Sequence, residues 1–165
     1  MSADAAAIAL DLFVREGRCL DLRQWDDWLA LYREDAVFWV PAWRDEDEPT
    51  SDPQREVSLI YHEGRVGLEE RVFRLRTGQS LTTLPLARTT HFVSNVLATA
   101  RGDDRVSAEA SFLVHHTNPA THLQLAHHGR YEAELVREGA AWRYARKRVL
   151  LMNDCVSAVL DFYLV

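Results

Sequence analysis

Cysteine is scarce in this chain of 165 residues: Cys19 and Cys155 are the only two, far apart and outside any C-x-x-C arrangement. That scarcity argues against a disulfide framework and against a zinc knuckle, and both thiols read as buried small hydrophobes. An excess of basic charge is also missing. Lysine and arginine number 19 against 25 aspartates and glutamates, for a net charge of −6, and no basic stripe can be traced, so a nucleic-acid partner is not expected. Long apolar runs are absent too, since nothing approaches the roughly 18 residues of a membrane span. The first residues lack a basic n-region and are interrupted by Asp4 and Asp11; a signal peptide is therefore not expected, and a cytoplasmic location is.

What is present is the composition of one globular domain, 1–165, with 47% hydrophobic and 27% charged residues, enough to bury a single core. From Asp4 to Leu20, Ala6, Leu10, Phe13, Gly17 and Leu20 recur at alternating steps of four and three, which predicts a helix. Asp21 to Arg33 repeats the pattern with Trp25, Trp28, Leu29 and Tyr32, predicting a second helix packed on the first as a hairpin. Ala36 to Ala42 is β-rich and includes Pro41; an acidic loop, Asp45-Glu46-Asp47-Glu48, and two further prolines follow. Gly67 to Arg76 reads as a third helix with Leu68, Val72 and Leu75 on one side and Gly78 as its stop signal.

From Thr89 onward the period changes to two. Val106, Ala108, Ala110, Phe112 and Val114 alternate with Ser107, Glu109 and Ser111; Tyr131, Ala133 and Leu135 alternate with Arg130, Glu132 and Glu134; a further run covers Trp142 to Met152. Turns are expected at Gly102-Asp103-Asp104, Asn118-Pro119 and Glu138-Gly139. Helices followed by an antiparallel meander predict an α+β domain with a strongly curved sheet wrapped around the helices.

His115, His116, His122, His127 and His128 crowd into fourteen residues around one predicted hairpin. Neighbours on a strand face opposite ways, so at most two or three can converge. A mononuclear iron site wants two histidines and a carboxylate, yet no Asp or Glu lies between Glu109 and Glu132; no metal site is assigned. Nucleophilic catalysis has no G-x-S-x-G elbow to support it. General acid–base work would draw on Tyr32, His91, Tyr131 or Tyr144, but each also reads as a core group where helices meet the sheet, and no catalytic residue is assigned.

Trp25, Trp28, Trp39 and Trp43 fall inside nineteen residues, more aromatic surface than a small helical hairpin covers. The first three fill the core or rim its mouth as readily as they meet a partner; Trp43, beside Arg44, has the composition of a partner contact. The C-terminal stretch from Val156 to Val165 carries one charge. It either closes the fold of its own chain or lies against another, which makes Phe162 and Tyr163 interface candidates.

Taken in order, Phe38-Trp39-Val40-Pro41-Ala42-Trp43, Asp52-Pro53, Gly67 to Arg76, Arg88-Thr89-Thr90-His91, Leu150-Leu151-Met152-Asn153-Asp154 and Leu160-Asp161-Phe162-Tyr163 resemble the small (β) subunit of aromatic-ring-hydroxylating dioxygenases, in the benzoate, toluate and anthranilate branch. The resemblance runs from about Phe13 to Phe162. It implies the cone-shaped fold of nuclear transport factor 2 and scytalone dehydratase, also called cystatin-like. It implies a homotrimer of small subunits within a hetero-hexamer with the large (α) subunit. The Rieske 2Fe–2S cluster and the mononuclear iron would sit on that large subunit, with NADH used by a separate reductase. On this chain Cys19 precedes Leu20-Asp21 and Cys155 precedes Val156-Ser157, so the C-x-H and C-x-x-H pairs of a Rieske centre are missing. His122 and His127 share the H-x4-H spacing of the large subunit's iron motif without its aspartate, a coincidence of spacing. The competing expectation is a free-standing cone-fold dehydratase or isomerase with a His/Tyr acid–base pocket, and a third is a module that binds an aromatic ligand without turnover. A filled cone would separate the scaffold from the enzyme.

Overall fold

Three long segments of period two form the heart of the sheet. In the computed structural model, which describes residues 3–78, 84–153 and 159–165, they are β4 (Arg105–Thr117), β5 (Gln124–Glu138) and β6 (Ala141–Leu151). The expected turns are present, Gly102 leading into β4 and Gly139 joining β5 to β6, at φ 99° and 61°. The other elements are α1 (Ala3–Asp21), α2 (Trp25–Ala30), β1 (Tyr32–Pro41), β2 (Ser58–Glu63), α3 (Arg65–Thr77), β3 (Arg88–Ala100) and a 3-10 turn at Phe162–Leu164. The six strands form one sheet in the order β2-β1-β6-β5-β4-β3.

The curved sheet wrapped on N-terminal helices is the expected architecture, with one departure: β1 runs parallel to β6 while the other neighbours are antiparallel. A parallel pair needs a long crossover, and the whole passage from β2 through β5 supplies it. Register shifts in β1, β3 and β5 provide the bends. That in β3 falls at Asn95, which takes φ 53°, and an extra residue of this kind sharpens the local twist of a strand.

The predicted second helix is shorter than its apolar pattern. Arg23 turns the chain at φ 56°, α2 covers only Trp25–Ala30, and Tyr32 already belongs to β1, opposite Tyr144. Helix α3 begins two residues earlier than expected and ends at Gly78 in the left-handed conformation. On α1 the buried stripe is Ala5, Ala9, Leu12, Phe13, Glu16, Gly17 and Leu20, whereas Leu10 is 46% exposed. Gly17 is required there: a Cβ would lie 2.8 Å from the Cβ of His91 on β3. Gly129 is required in the sheet, where a Cβ would lie 2.0 Å from the Leu150 carbonyl oxygen.

The core fills the space between α1, α2, α3 and the inner sheet face. Phe13, Trp28, Tyr32, Phe38, Tyr144 and Phe162 are all essentially sequestered from water, each worth about 1.5–3 kcal/mol in transfer terms. Stacked pairs link them, with Phe112 on Tyr131 at 4.3 Å and Phe162 on Trp28 at 4.3 Å. The loop after β1 returns across the outer face, where Trp43 pairs with Pro49 and its indole N–H donates to the Leu151 carbonyl at 2.7 Å. The Cys155 expectation lies outside the described residues; Cys19 is a free, half-buried thiol whose pKa burial pushes up.

Candidate functional site

The inside of the cone holds a carboxylate where the helical stripe would be apolar. Glu16 is 2% exposed and lies in phase with Leu12, Phe13 and Leu20. Its Oε1 accepts from the Tyr32 hydroxyl at 2.5 Å and from the Trp28 indole at 3.3 Å. Its Oε2 accepts from the Tyr144 hydroxyl at 2.9 Å and from Lys147 Nζ at 2.7 Å. Lys147, 1% exposed, lies 3.8 Å above the Tyr131 ring. A buried charge of this kind persists only when paired and hydrogen-bonded, and here each carboxylate oxygen has two donors.

Burial sets the protonation of the donors. Tyr32, Tyr131 and Tyr144 are driven well above the ordinary tyrosine pKa by desolvation, reinforced by the negative charge of Glu16, so all three stay protonated. Lys147 is pushed down by burial, against the pull of Glu16. Three of the four sequence candidates thus converge, joined by Glu16 and Lys147, neither of which was among those candidates. The signal for Glu16 was its phase on the helix; for Lys147 it was alternation with Val149 and Leu151.

The fourth candidate, His91, sits at the edge of the same interior. Its side chain is 2% exposed, and Nδ1 meets Asp21 Oδ1 at 2.6 Å. Asp21 also accepts from the His91 amide at 3.0 Å and from the Thr89 hydroxyl at 2.8 Å. These donors offset the placing of a carboxylate at the C-terminal end of α1, where the helix dipole disfavours it. Burial raises the Asp21 pKa, but the hydrogen bonds from His91 and Thr89 outweigh it and hold the carboxyl below its ordinary value. Among the described residues, His91 Nε2 is buried with no hydrogen-bond partner.

This arrangement has the groups of an acid–base site, with the side chains of Glu16, Tyr32, His91, Tyr131, Tyr144 and Lys147 all buried. Open grooves lie elsewhere. One of about 620 Å³ crosses the outer sheet face, lined by Trp39, Glu109, Glu132, Glu134, Arg146 and Arg148. Another, of about 730 Å³, runs between α2 and α3 beside Phe73. A third, of about 270 Å³, reaches Phe162 from the surface. None of Glu16, Tyr32, His91, Tyr131, Tyr144 or Lys147 lines them.

The histidine hairpin splits between faces as alternation requires. His116 and His127 are buried, with ring centroids 4.8 Å apart, while His115 and His128 face outward. His127 Nδ1 lies 2.8 Å from the Leu164 carbonyl. Burial, then the nearby His127 and His115, lower the His116 pKa to about 4. Among the described residues no group of three or more His, Cys, Asp or Glu side chains is placed to hold a metal ion. A Rieske centre takes its two cysteines and two histidines from C-x-H and C-x-x-H pairs, and neither Cys19 nor Cys155 has a histidine at that spacing.

Of the partner-contact candidates, Trp43 is half-buried and Arg44 exposed. Arg44 binds Glu56, Glu48 and Ser51, tying down the acidic loop. Phe162 and Tyr163 are 2% and 3% exposed. Within this chain they pack against Trp25 and, for Phe162, Trp28.

A curved sheet wrapped on N-terminal helices, with its inner face packed by buried side chains, defines a member of the cone-fold class. Comparison with known proteins makes the assignment specific. The family model described as "Ring hydroxylating beta subunit" matches residues 15–158, and the chain belongs to that family. It is 41% identical over 149 residues to the 2-halobenzoate 1,2-dioxygenase small subunit of Burkholderia cepacia, covering 90% of this chain and 89% of that one. It is 38% identical to the toluate 1,2-dioxygenase subunit beta of Pseudomonas putida, covering 93% of each. Among solved structures, the beta subunit of benzoate 1,2-dioxygenase from Burkholderia mallei ATCC 23344 superposes with a TM-score of 0.79 at 33% identity, covering 96% of each chain. The relatives are small subunits of benzoate-type ring-hydroxylating dioxygenases, which are oxidoreductases, and a β subunit implies an α-subunit partner. No helix among the described residues is long and apolar enough to cross a membrane.

Proposed function

We propose that this chain is the non-catalytic structural subunit of a benzoate-type dioxygenase, a single domain over residues 1–165 that supports the iron-containing large subunit in dihydroxylating aromatic carboxylates. The observation carrying this reading is the match to small subunits of halobenzoate and toluate dioxygenases along nine-tenths of the chain, joined to an interior in which the buried Glu16 is taken up by Trp28, Tyr32, Tyr144 and Lys147. In this reading the small subunits form a homotrimer at the base of a cytoplasmic hetero-hexamer. The Rieske cluster and mononuclear iron belong to the large subunit, and NADH is used by a separate reductase. Trp43 and Arg44 are the proposed partner contacts. Phe162 and Tyr163 support the assembly from inside, by holding the last turn in place.

Co-expression with the large subunit tests this. Purified through a tag on this chain, the complex is expected to contain Rieske iron and to oxidise benzoate, while the chain alone is iron-free and inactive; stoichiometric metal or turnover on the lone chain would overturn the reading. Single changes of His115, His116 or His127 to Ala are expected to leave hydroxylation by the assembled complex nearly intact. Trp43→Glu is expected to abolish copurification and activity together, and activity lost with assembly preserved would contradict the scaffold role.

A further inference from the structure

The last turn of the chain sets an acid and a phenyl ring side by side in surroundings that bind both. Asp161 is 1% exposed, and its Oδ2 accepts from Arg71 Nη2 at 2.7 Å. The neighbouring ring of Phe162 lies flat on Trp28, with centroids 4.3 Å apart and planes at 15°, and stands edge-on to Trp25 at 5.6 Å and 81°. Two indoles therefore frame a slot for one aromatic ring, in the offset-stacked and edge-to-face geometries that rings prefer. The Arg71 guanidinium lines the same groove as the Phe162 ring, and guanidinium–carboxylate contacts are among the strong hydrogen bonds.

A groove open to solvent reaches the ring that fills the slot, though neither tryptophan lines it. The groove of about 270 Å³ is lined by Ile60, His62, Arg71, Leu160, Asp161 and Phe162, and Arg71 keeps 26% of its side chain exposed. His62 adds no competing cation, because burial first and the charge of Arg71 second hold its pKa below the ordinary value, against the opposite pull of Asp161 and Glu70.

We infer that Trp25, Trp28 and Arg71 form a binding site for an arenecarboxylate, which Asp161 and Phe162 occupy as an internal ligand. The inference rests on this chain's own geometry and goes beyond the scaffold reading, so either can fail without the other. An arenecarboxylate in solution meets the site only in the fraction of molecules whose last turn is undocked, and its apparent affinity for the intact chain is weakened by that fraction. Trimming the internal ligand removes the competition.

The full chain is compared as wild type, Phe162→Ala, Asp161→Ala/Phe162→Ala and the latter with Arg71→Met. Benzene, sodium benzoate and sodium acetate serve as probes, read by thermal shift and tryptophan fluorescence. Phe162→Ala is expected to bind benzene in preference to benzoate, because Asp161 still holds Arg71. Asp161→Ala/Phe162→Ala is expected to bind benzoate at least ~10-fold more tightly than benzene, the scale of a charge-assisted hydrogen bond. Adding Arg71→Met should abolish that preference, and acetate should bind none of them. A folded double variant that does not prefer benzoate, or whose preference survives Arg71→Met, overturns the inference. If the truncated variants do not fold, amide exchange in the wild type decides. High-millimolar benzoate, but not acetate, should accelerate exchange at the Phe162 and Leu164 amides, which bond to Asp161 Oδ1 and the Asp161 carbonyl; unchanged exchange refutes it.

Discussion

Lys147 and Arg148 are neighbours on β6, each paired with a glutamate, and they face opposite sides of the sheet. Lys147 points into the cone, where it and Glu16 are 1% and 2% exposed at 2.7 Å. Arg148 points outward over Trp39 and meets Glu132 at 2.9 Å, with side-chain exposures of 19% and 40%. The same pair of charges thus does two jobs. Inside, removing one partner strands the other in a medium that cannot solvate it; outside, water replaces most of what is lost.

The comparison can be broken at its strong end. Lys147→Met is expected to destabilise the chain by about 3–5 kcal/mol in urea unfolding, because it leaves a buried carboxylate without its cation. Glu16→Leu/Lys147→Met should recover only part of this, since Trp28, Tyr32 and Tyr144 then lose their acceptor. Additive single and double effects would mean that the two residues are not coupled.

Acid sharpens the contrast between inside and outside. His116 is buried with a folded pKa near 4, whereas the unfolded imidazole titrates near its ordinary 6.5. The unfolded chain therefore binds more protons between those values. Stability from this site is complete above about pH 6.5 and lost as the pH falls toward 4. Melting temperatures should drop across that window, and His116→Leu should flatten the drop; His127, lowered chiefly by burial, leaves a remainder. Asp21 acts lower down: its depressed folded pKa contributes stability that is present above the unfolded carboxyl value and lost as the pH falls through the folded one.

The weak end is the outer face. Glu132→Gln is expected to change stability by no more than about 1 kcal/mol. Loss of the Arg15–Asp11 pair, exposed by 51% and 60% on α1, should fall within about 0.5 kcal/mol, read from the same urea curves. A larger effect from either would show that the outer face carries more of the fold than its exposure suggests.

Much of the fold was legible because its signals are local. Alternation from Val106 to Val114 and from Tyr131 to Leu135 reports which face is buried, and Gly78, Gly102 and Gly139 mark places where the backbone takes positive φ. The helical pattern around Trp25 misled, since Tyr32 is held in β1 by its pairing with Tyr144 and by Glu16, contacts that no short window contains. Tyr32, Tyr131 and Tyr144 could be named from their residue type, but not their meeting point. The histidine cluster looked denser in sequence than it is in space, because a strand sends its neighbours apart.

By itself, the sequence determined the family, the order of helices and strands, and which strand residues face inward; these follow from spacing along the chain. Tertiary structure alone decided that β1 lies parallel beside β6, that Glu16 meets Lys147 across 131 residues, and that Phe162 lies on Trp28. Such contacts join segments whose local patterns carry no record of each other. They form only when the curved sheet closes on the helices and each buried polar group must find a donor or acceptor within reach.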